Sequence, residues 1–218
     1  MNLAEGDADG SATLVSMPAD RTVAAPRRNR TIRWVFLDRD GTLNVKPPDG
    51  EYIERPDALV LLAGAAEAVR MLNRAGLWTG VVTNQRGVAL GRMNIEDLDA
   101  IHGRLKRLLH LEGAFVDAIY TCPDGIGACT CRKPQPGLLL EARREHPALD
   151  FKHAAIIGDS LSDMQAGRRL GLTTVLVCQE GQDRSAVRVA DHVVLDLLEA
   201  ARLLIAPPAC IQAGRQVD

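Results

Sequence analysis

The stretch Trp34-Val35-Phe36-Leu37-Asp38-Arg39-Asp40-Gly41-Thr42-Leu43-Asn44 constrains this chain more than any other. Four apolar residues, aromatic and β-branched among them, run straight into two acids spaced one residue apart. A short, bounded apolar run suits a strand buried on both faces, as in a parallel sheet. Asp38 and Asp40 then fall just past the carboxyl end of that strand, where open α/β sheets bind ligands. In extended chain the side chains at i and i+2 point the same way, so both carboxylates address one site. Neighbouring acids repel unless a cation or a shared proton relieves them, and Gly41 lets the backbone turn tightly around whatever sits there. A bare Asp-x-Asp also describes a solvated turn, so the remainder of the chain has to decide between the two.

Composition removes several alternatives. A chain of 218 residues suits one domain with a good core. Only 3% of it is aromatic, which argues against base-stacking platforms for single-stranded nucleic acid. A formal charge of −2 gives no electrostatic case for nucleic acid or an anionic membrane. No apolar run approaches the ~20 residues of a membrane helix, and the N-terminus lacks the charged-then-apolar pattern of a secretory signal. Five cysteines, three of them within ten residues, read as a metal site in a reducing compartment rather than a disulfide framework. The expectation is a cytoplasmic α/β protein.

Taken in order, residues 1–30 show no periodicity and read as a disordered extension, with the basic run Arg27-Arg28-Asn29-Arg30 as solvated tail. Residues 31–206 form the expected domain, and 207–218 a frayed tail. After the first strand, Pro47, Pro48, Asp49 and Gly50 mark a loop. An amphipathic helix is expected over Ala63–Ala75, and a second buried strand over Leu77–Thr83 that ends in Thr83-Asn84-Gln85-Arg86-Gly87. Asn94 with Asp97 has the form of a capping box opening a long helix. His102 and His110 on that helix lack ligand partners at matching spacing and read as surface or core histidines. A third strand over Val116–Thr121 leads into a loop from Cys122 to Pro136, then a helix over Gly137–Glu145. A fourth strand, Ala154–Ile157, ends in Gly158-Asp159-Ser160-Leu161-Ser162-Asp163 and is followed by a helix over Leu161–Leu170. Further strands are expected over Thr173–Val177 and His192–Leu195, and a last helix runs to Ile205. Strands alternating with helices give a doubly wound parallel sheet.

Polar residues at the ends of three strands should therefore meet at one edge: Asp38 and Asp40, Thr83 and Asn84, and Asp159. Arg132-Lys133 lies in the loop after the third strand. This order of Asp-x-Asp, Thr, Lys and Gly-Asp-x-x-x-Asp resembles the four motifs of the haloacid dehalogenase superfamily of phosphatases, over roughly Arg33 to Val177. The resemblance implies a Rossmann-like core and an aspartyl-phosphate mechanism. Asp38 would be the nucleophile and Asp40 the general acid and base. Mg²⁺ would be held by Asp38, the backbone carbonyl of Asp40 and Asp159. Thr83, Asn84 and Lys133 would hold phosphoryl oxygens, with Gln85 and Arg86 beside them facing substrate. Asp163 would support the metal shell or Lys133, or stand as an ordinary first-turn helix acid.

The spacers Gly41–Leu77 and Gly87–Cys131 are filled by the sheet's own helices and strands, which leaves a capless core with an open site. Asp-Arg-Asp-Gly-Thr-Leu-Asn, Thr-Asn-Gln-Arg-Gly-Val-Ala and Cys-Arg-Lys-Pro are similar to the histidinol-phosphate and D,D-heptose 1,7-bisphosphate phosphatase branch. That branch carries a structural zinc loop. Here the corresponding residues are Cys122, Asp124, Cys129 and Cys131, with Asp124 where the family has histidine. Carboxylate ligates zinc too, so Cys₃Asp is the leading reading, beside a water as fourth ligand or three reduced thiols with no metal. Cys178 and Cys210 fall outside the cluster. Arg132 would offer its planar fork to a second phosphate or to sugar hydroxyls, and Tyr52 would face substrate from the loop after the first strand.

The expected activity is removal of the 7-phosphate from heptose 1,7-bisphosphate by a monomeric enzyme acting on a small phosphorylated sugar. Histidinol phosphate or another sugar phosphate is the alternative. A non-catalytic phosphate-binding module would be favoured only if Asp38 or Asp40 were missing. A phosphomutase would need a lid against water, and no cap is present to serve as one.

Overall fold

The computed structural model describes residues 31–178 and 184–206. Both terminal segments anticipated from the sequence, and Cys210, lie outside the described residues. Six strands form one all-parallel sheet: β1 (Trp34–Leu37), β2 (Trp78–Asn84), β3 (Ala118–Cys122), β4 (Ala154–Gly158), β5 (Thr173–Val177) and β6 (His192–Val194), in the order β3-β2-β1-β4-β5-β6. The chain starts in the middle, winds outward to β3, and then crosses back to β4 on the other side of β1. That reversal opens a crevice between the carboxyl ends of β1 and β4, the position where such sheets bind ligands.

Alternation along each strand divides the core between the two faces. Val35, Leu37, Val81, Ile157 and Val175 pack against α1 (Ala65–Arg74), α2 (Ile95–Leu111) and α6 (Leu197–Ile205). Phe36, Val82 and Ile156 pack on the other face with α3 (Gly137–Glu145) and α4 (Leu161–Leu170), while α5 (Arg184–Val189) adds Ala186 against Met164 and Leu176. Helix α2 buries Leu98, Ile101, Leu105 and Leu109, a stripe at three- and four-residue spacing. Its start is fixed by the expected capping box: Asn94 Oδ1 accepts from the Asp97 amide at 2.7 Å and Asp97 Oδ2 accepts from the Asn94 amide at 3.0 Å. Burying each such leucine contributes about 2 kcal/mol.

Differences from the pattern expected of the sequence are local. Helix α1 begins two residues later than expected, after Gly64 with φ 77°. Strand β3 is shifted toward Cys122, which pairs with Asn84, because the carboxylate of Asp117 is taken by the Thr79 amide at 2.6 Å. Helix α5 is an addition to the expected elements, since six residues carry too little periodic pattern to announce a helix. No separate cap domain interrupts the core among the described residues.

Candidate active site

The β1–β4 ladder continues past the strand, with the Asp38 amide donating to the Ile157 carbonyl at 2.9 Å. Asp38 is thereby fixed beside the end of β4, where Gly158 gives way to Asp159. The turn that follows is closed by Gly41 donating to the Asn44 carbonyl at 2.8 Å and by Leu43 donating to the Arg39 carbonyl at 2.9 Å. Gly41 has φ 89°, and a Cβ there would run into the Asp159 carboxylate. A Cβ on Gly158 would likewise meet the carboxylate of Asp163. The two glycines let the acids approach.

Asp38, Asp159 and Asp163 each offer a carboxylate oxygen, all within 4.8 Å of one another. Lys133 is inserted among them from the loop after β3. Its Nζ lies 2.8 Å from Asp38 Oδ1 and 2.6 Å from Asp163 Oδ1, and it donates to the Val82 carbonyl at 2.7 Å. Burial would lower the Lys133 pKa, but Asp163 and Asp38 outweigh it and hold the ammonium above its ordinary value. Burial and the charge of Asp163 push Asp38 up to about 7, against the pull of Lys133. Burial also raises Asp159, although Lys46 Nζ sits 2.8 Å from its Oδ2. Its other oxygen, Oδ1, is buried with no hydrogen-bond partner among the described residues. A buried, unpartnered carboxylate oxygen in a cluster short of positive charge fits a hard divalent cation. Asp163 combines both roles weighed for it, pairing with Lys133 and capping α4 through the Ser160 amide at 3.2 Å.

Asp40 lies within a separate set of donors. Its carboxylate accepts from Arg39 Nη2 at 3.0 Å, Gln85 Nε2 at 2.8 Å and Asn44 Nδ2 at 2.9 Å. Nothing in the sequence pattern assigns Arg39 a role, yet it is completely buried and reaches Gln85 Oε1 at 3.0 Å and His102 Nε2 at 3.3 Å. Burial and the guanidinium push His102 down to about 4, so the ring is neutral and is assigned as the acceptor. A charged residue inside an otherwise buried motif needs built-in partners, and that is the signal by which Arg39 could be found.

A cavity of about 320 Å³ opens over these groups. Asp38, Asp40, Thr83, Arg132, Lys133 and Asp159 reach it, as do Asn84, Gln85 and Tyr52. Arg86 does not line it. Asn84 is engaged with the backbone of Lys133, accepting from its amide at 3.0 Å and donating to its carbonyl at 3.1 Å. It positions the lysine instead of presenting a free amide, and Gln85 in the same way joins Asp40 to Thr83 Oγ1 at 2.8 Å. Lys46, which no motif singles out, lines the cavity from the loop opposite. A concavity of about 360 Å³ lined by Lys106, Arg107, His110, Phe115 and Val116 has no acid or thiol in its wall.

The cysteine loop is tied to this site. Gln85 donates its amide to the Cys122 carbonyl at 2.7 Å and Ala89 to the Pro123 carbonyl at 3.2 Å. Cys131 Sγ lies 3.0 Å from both Cys122 Sγ and Cys129 Sγ, and 3.7 Å from Asp124 Oδ2. Burial, then the neighbouring thiols, raise the Cys131 pKa above its ordinary value. Three thiolates cannot share this space without a cation, and three sulfurs with one carboxylate are a donor set of the kind zinc takes. Arg132 leaves the loop with Nη1 3.4 Å from the Asp124 carbonyl.

Comparison with known proteins agrees with this geometry. A hydrolase-like family described as HAD-hydrolase-like matches residues 130–200. A D-glycero-β-D-manno-heptose-1,7-bisphosphate 7-phosphatase of Pseudomonas putida is 34% identical over 178 residues, spanning 80% of this chain and all of the relative. The chain belongs to the haloacid dehalogenase-like phosphatases, in their heptose-bisphosphate branch. The Mesorhizobium japonicum relative of the same name is 43% identical over 146 residues, covering 63% of this chain and 65% of its own length, just under two thirds. Among solved structures, the D,D-heptose 1,7-bisphosphate phosphatase of Bordetella bronchiseptica, complexed with magnesium and phosphate, superposes with a TM-score of 0.72. That pair is 33% identical and covers 80% of this chain and 98% of the other.

Proposed function

We propose that the chain is a Mg²⁺-dependent phosphomonoesterase that removes the 7-phosphate of D-glycero-D-manno-heptose 1,7-bisphosphate and leaves the 1-phosphate. The observation that carries this reading is the cluster of Asp38, Asp159, Asp163 and Lys133 at the β1–β4 crevice, in a chain aligned over the full length of a phosphatase of that name.

Asp38 attacks phosphorus; the ester P–O bond breaks as the aspartyl phosphate forms. Asp40 gives a proton to the departing alkoxide, then takes one from the water that attacks the phosphorus. The bond to Asp38 breaks and inorganic phosphate leaves, so ester and water are converted to alcohol and phosphate. Lys133 and Thr83 hold phosphoryl oxygens, and Asn84 and Gln85 hold Lys133 and Asp40 in place. Asp38, Asp159 and the Asp40 carbonyl would hold Mg²⁺, which would supply neutralisation of phosphoryl charge. Arg132 takes the second phosphate and Tyr52 forms part of the wall. Cys122, Asp124, Cys129 and Cys131 would hold a structural zinc, which would set the position of the Arg132-Lys133 segment.

We infer action as a monomer, with the nucleophile, the acid and the phosphate-holding residues all lining one cavity. No described helix is long and apolar enough to cross a membrane, and a thiol cluster of this kind favours the reducing cytoplasm. The test is phosphate release with Mg²⁺ from both anomers of heptose 1,7-bisphosphate and from histidinol phosphate. A preference of at least about 100-fold in kcat/KM for a bisphosphate is expected, a difference of roughly 3 kcal/mol. A preference for histidinol phosphate would overturn the substrate and leave the chemistry intact.

A further inference from the structure

Lys46 stands where the chain leaves the β1 turn. The residues before it are pinned: Asn44 holds Asp40, and Val45 donates to the Val60 carbonyl at 2.9 Å. Pro47 and Pro48 after it restrict the backbone. From this anchored stem the ammonium crosses the cavity mouth to Asp159 Oδ2 at 2.8 Å. The two partners differ in environment: the Lys46 side chain is 51% exposed and that of Asp159 2%.

The charges explain why the contact forms. Three carboxylates meet two ammonium groups here. Lys133 serves Asp38 and Asp163 and is held by three short contacts deep in the fold. Among the described residues the Asp159 carboxylate is paired with Lys46 alone, which is attached at a single oxygen and faces solvent. A divalent cation on Asp38 and Asp159 raises the local positive charge from two to four against three negative. Of the two ammonium groups in this cluster among the described residues, the half-exposed Lys46 is the one free to leave.

We propose that Lys46 is an exchangeable counter-ion: it neutralises Asp159 until Mg²⁺ displaces it, and the displaced ammonium then binds the non-reacting phosphate of the substrate. The second half rests on the bisphosphatase reading above; the first does not. A phosphate dianion restores the balance that Mg²⁺ upsets, so metal and bisphosphate each favour the same position of Lys46. With Arg132 it would put two cations on the rim for one distal phosphate.

Lys46→Met keeps the stem and removes the charge. Calorimetric titration of the substrate-free protein with Mg²⁺ should show tighter binding in the variant, by about 3- to 10-fold. Unchanged or weaker binding would overturn the counter-ion role. At saturating Mg²⁺, kcat/KM for heptose 1,7-bisphosphate should fall about 10- to 100-fold, and clearly less for the heptose 7-phosphate monoester. Equal losses on the two would overturn the phosphate role, and Lys46→Arg should recover most of the loss. A wild-type enzyme that does not distinguish bisphosphate from monoester would defeat the substrate reading itself, while the Mg²⁺ titration still judges the counter-ion. A circular dichroism spectrum unchanged from wild type excludes a general loss of fold.

Discussion

The two candidate metal clusters are built in opposite ways. The acid cluster is gathered from the ends of β1 and β4 and the first turn of α4, with Asp38 more than a hundred residues before the other two in sequence and Lys133 brought in from a further segment. The cysteine cluster is nearly all local, ten residues from Cys122 to Cys131, with only Cys122 on the sheet. The acids are buried and destabilise one another, but the strands that carry them are held by a core that does not depend on them. The thiol loop has little core of its own: Cys129 and Cys131 are half-buried and Ile126 is 73% exposed. A charge cluster can therefore sit on a scaffold that tolerates its loss, whereas a local loop with little core would depend on a bound metal for its shape.

Asp38→Asn should sharpen this contrast most. Turnover should fall by on the order of 10³ or more, while the melting temperature stays within about 3 °C of wild type or rises, because a buried like charge has been removed. Chelating Mg²⁺ should stop turnover in the same way and leave circular dichroism unchanged. Arg39→Met probes whether the scaffold around Asp40 is as tolerant as that around Asp38, and the expected answer is no. It leaves a carboxylate without its buried partner, which costs about 3–5 kcal/mol and on the order of 10 °C in thermal melting.

Cys129→Ser tests the local side. Zinc content should drop, and kcat/KM should fall about 10-fold through the Arg132-Lys133 segment. Unchanged zinc and activity would remove the metal from the mechanism. The smallest effect concerns His102. Its pKa is about 4 in the folded chain against an ordinary 6.5 when unfolded, so the unfolded chain takes up a proton that the folded one refuses. Stability is then lost as pH falls from 6.5 toward 4, by roughly 1 kcal/mol at pH 5.5, and His102→Gln should flatten that part of the profile in urea titrations.

The same contrast explains what the sequence revealed. Asp38 and Asp159 are legible because each follows a strand with a clear apolar run, and parallel topology brings strand ends together; Lys133, well along the loop after β3, is legible only from its place in the order of the motifs. Asp124 enters as a candidate ligand only through the family resemblance, while the grouping of Cys122, Cys129 and Cys131 is legible from spacing. Arg39, His102 and Lys46 are not, because their partners lie 46, 63 and 113 residues away and only the fold makes them neighbours. Asn84 and Arg86 show the converse limit. Both follow a strand as a phosphate-binding residue should, but one is taken by the Lys133 backbone and the other turns off the cavity wall. Position along a strand predicts which edge a residue occupies, not whether its polar atoms are free.

The central claim is that Asp38 carries the phosphoryl group. Asp40→Asn should slow hydrolysis of the intermediate yet still react with a phosphate ester whose leaving group needs no proton. With Mg²⁺ and such an ester, acid quenching followed by peptide mass spectrometry should place a phosphoryl group on Asp38 at close to one per chain, and Asp38→Asn in the same background should show none. Phosphate on a different residue, or an ester consumed by the double variant as fast as by Asp40→Asn, would contradict that claim.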